Sequence, residues 1–171
     1  MKPMQKILLR ATLALGLLPL FGGCSEEIKP EPLTYSQLLT GKESKAWRLT
    51  SFQVFDDGTG SGTNNARDFD APCIVDDLYV FYADNIKTME VREGSSKCND
   101  ADPDLVLEDT WSLVNATSVL EFNFAGFIPQ KLNYKVRNLT ETSLTVEFYY
   151  LDYLPDVNLS YRFTFTSQAG R

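Results

Sequence analysis

Apolar and polar residues alternate with a period of two along most of the chain after residue 44. This period puts successive side chains on opposite faces of a β-strand, so it predicts strands with one buried face. The phase slips by one residue between Leu49 and Phe52, which indicates a β-bulge. The predicted strands cover about residues 45–54, 77–82, 88–92, 107–113, 120–124, 131–137, 144–150 and 159–166.

A single short helix is predicted ahead of the strands. Thr34 and Gln37 have the spacing of a capping box, in which each side chain accepts a hydrogen bond from the other residue's backbone N–H. Leu38 and Leu39 supply an apolar face, and Gly41 is a suitable C-terminal stop. The helix is therefore expected over about residues 35–40, and no later stretch shows a helical period.

The connections between the predicted strands alternate between short and long. Three have hairpin length, near residues 83–85, 114–117 and 138–142. The longer ones cover about residues 56–72, 93–104, 125–130 and 152–157. In an up-and-down meander, alternate connections lie at opposite ends, so the longer ones share one end, here called the long-loop rim. We predict an all-β, eight-stranded antiparallel up-and-down barrel, because closure removes exposed sheet edges.

The N-terminus has the pattern of an export signal. Three basic residues within the first ten precede an apolar run over residues 11–21, which is too short to span a bilayer. The run ends in Gly22-Gly23-Cys24, which resembles the lipobox of bacterial lipoproteins, whose cysteine is acylated and becomes the new N-terminus. We predict that Cys24 is lipidated. The alternative is a secreted soluble protein with a spare cysteine.

These patterns divide the chain into three parts. We predict a signal peptide over residues 1–23, a lipidated flexible tether over 24–33 and the barrel domain over 34–171. The tether opens with Ser25-Glu26-Glu27, and an acidic patch after the lipid cysteine resembles the surface-export signal of Bacteroidetes lipoproteins. We therefore expect an outer-membrane, lipid-anchored protein exposed on the cell surface, with a periplasm-facing protein as the alternative.

Charge limits the classes of partner. The chain after Cys24 carries 13 basic and 23 acidic residues, a net charge of −10. Nucleic-acid binding is not expected, because phosphate contacts need clustered Lys and Arg. Membrane attachment must come from the acyl chains, which contribute about 0.8 kcal/mol per buried CH₂.

Two cysteines remain after Cys24, namely Cys73 and Cys98. Export places them in an oxidising compartment, where such a pair is expected to form a disulfide. Both fall on the predicted long-loop rim, so the meander brings them to the same end. The alternative is a pair of free buried thiols.

The residues that catalysis usually needs are absent or unpatterned. The chain has no histidine, which removes histidine-based acid–base catalysis, Ser-His-Asp triads and most zinc sites. Asp100, Asp102 and Asp104 imitate the start of a calcium loop, but Trp111 stands where the loop needs a bidentate Glu. We therefore predict no enzymatic activity, no cofactor and no metal.

Several short segments together carry a family resemblance. They are Cys24, Leu38-Leu39-Thr40-Gly41, Trp47-Arg48-Leu49, Cys73, Asp76-Asp77-Leu78-Tyr79-Val80-Phe81, Cys98, Trp111-Ser112-Leu113 and Leu144-Thr145-Val146-Glu147-Phe148. With them the chain resembles the lipocalin-like, calycin-related lipoproteins of Bacteroidetes over most of its mature length. The resemblance implies an eight-stranded barrel, or a barrel-like sheet, on a lipid tether. It implies no particular ligand and no catalytic residues.

The predicted interior contains nine aromatic residues, which favours binding of a small apolar or aromatic ligand through the long-loop rim. They are Trp47, Trp111, Phe122, Phe124, Tyr134, Phe148, Tyr150, Phe163 and Phe165. Candidate ligand-binding residues are Phe127, Tyr153, Trp111, Tyr134, Phe148 and Tyr150. The alternative is a filled barrel that acts as an interaction module and docks a protein or glycan partner through the rim loops. Phe127 and Tyr153 would then fold back as a plug over the core. We expect a monomer in either case.

Overall fold

The computed structural model describes residues 32–168, which form a mostly antiparallel β-sheet closed into a nearly complete barrel. Along the barrel the strand order is β6-β5-β4-β1-β11-β10-β9-β8-β7. The strands are β1 (Ser44–Asp56), β2 (Thr59–Gly60), β3 (Asn64–Asn65), β4 (Leu78–Tyr82), β5 (Thr88–Arg92), β6 (Leu105–Thr110), β7 (Ser112–Val114), β8 (Val119–Asn123), β9 (Lys131–Leu139), β10 (Ser143–Tyr149) and β11 (Leu159–Gln168). Consecutive strands around the barrel pair as an antiparallel meander, as predicted.

The predicted count of eight strands is not confirmed, because the described residues contain eleven strands. The fourth predicted strand is divided at Trp111 into β6, which pairs with β5, and β7, which pairs with β8. The backbone N–H of Trp111 donates to the Lys87 carbonyl at 2.8 Å, next to the pair Thr88↔Thr110, and the following residue, Ser112, already pairs with Glu121 of β8. The two further strands, β2 and β3, are two residues long and pair with β1 inside the first long connection.

Strand β1 contains the predicted bulge. It pairs with β11 from Ala46 to Asp56, and the register shifts between Leu49 and Ser51. A bulge inserts one residue into one strand and increases the local twist. Because of the extra residue, Phe52 lies on the buried face, where unbroken alternation after Leu49 would place Ser51.

The helix α1 (Tyr35–Thr40) covers the end of the barrel that carries the tight turns, which we call the tight-turn rim. Thr34 caps it, and the predicted capping box with Gln37 is present. The Trp47 ring nitrogen donates to the Leu39 carbonyl at 2.8 Å. The Lys45 ammonium donates to the Leu38 carbonyl at 2.6 Å, which joins the helix to the start of β1.

Aromatic side chains fill the barrel interior. Eight of the nine predicted interior aromatics are buried, and Tyr150 is half-buried. The buried ones are Trp47, Trp111, Phe122, Phe124, Tyr134, Phe148, Phe163 and Phe165. Phe124 lies near the centre, with ring centroids at 4.9 Å from Phe163 and 5.3 Å from Phe165. Aromatic pairs at these separations pack favourably.

The predicted signal peptide and the predicted lipidation site Cys24 lie outside the described residues. Within residues 32–168, helices are too short and insufficiently apolar to cross a membrane.

Candidate functional site: the long-loop rim

Four connections meet at the long-loop rim, at residues 57–77, 93–104, 124–130 and 150–158. The first contains β2, β3, a 3₁₀ turn at Ala66–Asp68 and the one-turn helix α2 (Pro72–Val75). Antiparallel neighbours reverse direction at every connection, so these alternate connections lie at one end. The rim is thus built from sequence that is far apart along the chain.

The predicted disulfide joins two of these connections. Cys73 lies on α2 and Cys98 lies in the 93–104 connection, with their Cα atoms 5.1 Å apart. The prediction of a Cys73–Cys98 bridge is confirmed. The bridge cross-links the two connections on the β4–β5 side of the rim.

Asp76 fastens the same two connections by hydrogen bonds. Its Oδ2 accepts the backbone N–H groups of Ser95 at 2.8 Å and Ser96 at 3.0 Å, and the Ser95 hydroxyl at 2.9 Å. Gly94 is required beside it, because a Cβ at that position would lie 2.4 Å from the Asp76 Cγ. Together with the disulfide, these bonds fix the 93–104 connection at its start.

Asp77 follows Asp76 in the sequence and is only 7% exposed. Its Oδ1 accepts the Gly94 N–H at 3.2 Å. Burial raises the pKa of Asp77 to about 7; the Gly94 N–H opposes this shift, and the charges of Glu93 and Asp76 add to it. The Asp77 carboxyl therefore changes its charge near neutral pH.

Phe127 and Phe69 fold inward and plug the mouth of the barrel. Phe127 is half-buried, with ring centroids 5.0 Å from Phe163 and 5.2 Å from Phe148. Phe69 comes from the first connection and packs 5.9 Å from Phe127 and 5.2 Å from Phe163. Phe69 was missed by sequence reasoning. Its only signal is a lone aromatic in a polar loop.

Tyr153 is more exposed than Phe127 but is also anchored. Its ring stacks on Phe148 at 5.3 Å, and its hydroxyl accepts the backbone N–H of Asn133 at 2.9 Å. The pairing of β9 with β10 ends at Lys135, so this N–H lies beyond the ladder. Tyr153 thus supplies an acceptor for a backbone N–H of β9 that has no partner on β10.

Five of the six candidate ligand-binding residues meet at Phe148. Tyr150, Phe127, Tyr153 and Tyr134 have ring centroids 5.1, 5.2, 5.3 and 5.8 Å from the Phe148 ring. They pack against one another as parts of a filled core. Burial raises the pKa of Tyr134, whose hydroxyl lacks a hydrogen-bond partner among the described residues.

The sixth candidate, Trp111, lies at the other end of the barrel. Its ring nitrogen donates to the Tyr82 carbonyl at 3.1 Å, and the Lys87 ammonium lies 5.4 Å from its ring centroid. It lines a groove of about 420 Å³ beside α1. The structure therefore does not bring Trp111 together with Phe127 and Tyr153.

Five of the eight exposed large apolar residues of the described chain lie on the long-loop rim or directly beside it. Leu151, Tyr153 and Leu154 lie in the 150–158 connection, and Leu105 and Val106 begin β6; each is between 40% and 49% exposed. The other three, Leu33, Tyr35 and Ile86, lie at the end that carries α1 and the tight turns. Aspartates surround the five at the long-loop rim, and two of these aspartates are paired: Asp104 with Lys97 at 2.6 Å, and Asp152 with Lys135 at 3.8 Å. Among the described residues, acidic side chains do not form a cluster of three or more able to hold a metal ion.

Searches with the sequence found no matching protein family and no similar curated protein. The resemblance to lipocalin-like lipoproteins therefore stays a prediction.

Proposed function

We propose that this protein is a lipid-anchored lipoprotein of the bacterial cell envelope whose barrel is an interaction module. It docks a protein or glycan partner through the long-loop rim and has no enzymatic activity. It belongs, in this proposal, to the lipocalin-like lipoproteins of Bacteroidetes. The observation that carries the proposal is the aromatic plug over a filled interior.

The plug supports docking over ligand uptake. A ligand that entered through the mouth would have to displace Phe69 and Phe127, which contact Phe163 at 5.2 and 5.0 Å. Displacing two half-buried aromatic rings costs several kcal/mol, since full burial of one such side chain is worth about 1.5–3 kcal/mol. A partner that rests on top of the rim needs no such displacement.

The surface of the rim has the composition of a docking site. Leu151, Tyr153 and Leu154 expose apolar area within a single connection, next to the paired Asp152. Apolar residues grouped on a loop and rimmed by polar ones are typical of interaction surfaces. Tyr153 is held by Asn133 and Phe148, so the surface is preorganised.

The proposed anchor suits this orientation. The described domain begins beside α1, which covers the tight-turn rim, and Leu33 lies only nine residues after Cys24. Nine extended residues reach about 30 Å at most. Acylation of Cys24 would therefore keep the tight-turn rim near the bilayer and leave the long-loop rim free. The acidic Ser25-Glu26-Glu27 supports the cell surface as the location, with the periplasmic face as the alternative.

Photo-crosslinking on intact cells tests the docking role. A crosslinking amino acid replaces Leu154 on the long-loop rim in one strain and Ile86 on the tight-turn rim in a matched control strain, where Ile86 is 73% exposed. We expect a discrete crosslinked species from position 154 only. Equal labelling at both positions would overturn the proposal.

An apolar dye tests the competing ligand-binding role. The filled interior predicts that the purified protein takes up no stoichiometric, competable dye. Saturable uptake at one dye per chain, lost when Phe148 is replaced by a charged residue in a protein that stays folded, would favour ligand binding instead.

A further inference from the structure

Strand β6 has a neighbour on one side only. It pairs with β5 from Thr88↔Thr110 to Arg92↔Leu105. On the other side of the barrel, β8 pairs with β7 and not with β6 anywhere in the part of the chain that the structure describes. The segment Leu105–Asp109 therefore has a free edge.

The plug explains why this edge is free. The continuation of β8 would lie next to β6, but the chain leaves the sheet at Phe124. The backbone N–H groups of Phe127 and Ile128 both donate to the Phe124 carbonyl, at 2.9 and 3.1 Å. The Tyr79 hydroxyl accepts the Gly126 N–H at 3.2 Å and holds the turn. The residues that would cover β6 are thus used to close the mouth.

The hydrogen bonds of the β5–β6 ladder identify which backbone groups are left over. Glu93 N–H donates to the Asp104 carbonyl at 3.0 Å, just outside the pair Arg92↔Leu105. In an antiparallel ladder this pattern marks a non-hydrogen-bonded pair, whose N–H and C=O groups point away from the partner strand. Leu105 therefore directs its backbone groups toward the free edge.

The other end of β6 shows the same pattern. Trp111 N–H donates to the Lys87 carbonyl at 2.8 Å, which marks Thr88↔Thr110 as non-hydrogen-bonded. Glu108 lies two residues earlier in unbroken register, so it belongs to the same class. At Thr110 the edge-facing N–H is already used, because it donates to the Asp109 Oδ1 at 2.7 Å, and Lys131 of β9 contacts the Thr110 hydroxyl beside it. The open part of the edge runs from Leu105 to Glu108.

The side chains along this open part are apolar and acidic. Leu105 and Val106 are 40% and 43% exposed. Glu108 is exposed and directly opposite Glu90 on β5, a like-charge pair that destabilises the ladder. Glu90 forms an ion pair with Arg92 at 2.6 Å, whereas Glu108 has no ion pair among the described residues. An additional cation beside Glu108 would relieve this repulsion.

Exposed edges of this kind are usually protected by charged side chains, above all lysine, by proline, by a bulge or by a covering segment. Strand β6 has a bulge between Leu105 and Leu107, and its charged side chains are the carboxylates Glu108 and Asp109, which favour a basic partner. The stretch Leu105–Asp109 contains neither proline nor lysine. It combines unpaired backbone groups, exposed apolar side chains and an unneutralised carboxylate. These are the features that a partner strand requires: main-chain hydrogen bonds for affinity and alternate side chains for specificity.

We propose that β6 is a strand-docking site, where an extended segment of a partner protein that carries Lys or Arg adds to the edge between Leu105 and Glu108. The proposal rests on the interaction role proposed above and specifies its binding mode and the chemistry of the partner. A second copy of this chain is a poorer occupant, because each mature chain has a net charge of −10.

Amide hydrogen exchange of the full mature protein in detergent micelles, followed by NMR, gives the baseline. The Leu105 and Glu108 amides should exchange fast, and the Asp109 amide, which faces β5, should exchange slowly. A ten-residue peptide of alternating valine and lysine is then the probe. We expect it to protect the Leu105 and Glu108 amides, while the same peptide with alternate backbone nitrogens methylated gives no protection.

Glu108→Pro removes one edge-facing N–H without breaking a bond to β5, because that N–H points outward. We expect it to weaken binding of the peptide by about tenfold or more, with the melting temperature nearly unchanged. The matched control Glu108→Gln keeps the N–H and should weaken binding by only about two- to fivefold through loss of charge.

Three results would overturn the strand-docking proposal: equal binding of the peptide by Glu108→Pro and the unchanged protein, equal binding of the methylated peptide, or protection away from β6. A dimer in light scattering that Glu108→Pro abolishes would assign the edge to self-association instead. The crosslinking experiment at Leu154 separates this proposal from the interaction role proposed above. If β6 fails these tests while position 154 still gives a discrete crosslinked species, only the strand-docking proposal is wrong.

Discussion

Replacing Phe127 with alanine tests whether its ring is a structural plug or a contact for a partner. The ring lies 5.0–5.2 Å from the rings of Phe163, Phe148 and Tyr161. It also connects the 124–130 connection to Phe69 at 5.9 Å. Removal of the ring leaves this cluster without its central contact, so we expect a loss of stability.

The size of the loss follows from burial. A Phe→Ala change in a fully buried core costs about 3–5 kcal/mol. Phe127 is half-buried at the rim, where water can enter the space that the ring leaves, so we expect about 2–3 kcal/mol. For a domain of this size about 1 kcal/mol lowers the melting temperature by roughly 2–5 °C. The expected drop is therefore about 4–15 °C.

Thermal unfolding followed by circular dichroism measures this drop. Phe55→Ala is the matched control, since Phe55 is also half-buried but packs on the outer face beneath the Arg162 guanidinium at 4.6 Å. Its loss should be at most half as large. A Phe127→Ala protein that melts within about 1 °C of the unchanged protein and no longer crosslinks at Leu154 would refute the plug and assign Phe127 to the contact surface.

Further predictions concern the anchor, the disulfide and the pH response. Cys24→Ser should abolish palmitate labelling and leave an uncleaved or mis-sorted precursor; unchanged labelling would contradict lipidation. Reduction of Cys73–Cys98, which are 25 residues apart, should lower the free energy of unfolding by roughly 3–4 kcal/mol in denaturant titrations; an unaffected midpoint would contradict a stabilising bridge. Burial raises the pKa of Asp77 from 3.8 to about 7, so the folded state binds this proton more tightly than the unfolded state. Stability should therefore fall as pH rises from 3.8 to about 7 and level off above, and Asp77→Asn should flatten this slope; an equal slope in the variant would assign it to other groups.

The sequence determined the local elements, because they depend on neighbours along the chain. A period of two requires only that one face of each strand be buried, and seven of the eight predicted strands are present at nearly their predicted positions. The capping box of Thr34 and Gln37 and the bulge after Leu49 are equally local, and both are present. Connection lengths alone placed Cys73 and Cys98 at the same rim.

Alternation also placed eight of the buried aromatics in the interior. It left open which face of residues 77–82 is buried, where Tyr79 and Phe81 belong to the core, and it did not show what the interior does. It cannot report whether facing side chains meet or leave a cavity, since that depends on their volume and on the barrel radius. In the structure, the facing aromatic side chains meet around Phe148. Phe69, a loop residue that periodicity cannot detect, packs on Phe163 at the mouth.

The tertiary structure alone decided where the barrel fails to close. The predicted fourth strand has one continuous pattern from Leu107 to Leu113, yet its first half pairs with β5 and its second half with β8. This division follows from the stagger between strands, which is set by contacts across the whole barrel and leaves no trace in the pattern of one strand. The free edge at Leu105–Glu108, the inward turn after Phe124 and the place of Trp111 beside α1 all depend on that stagger, so they could be seen only once the strands were assembled.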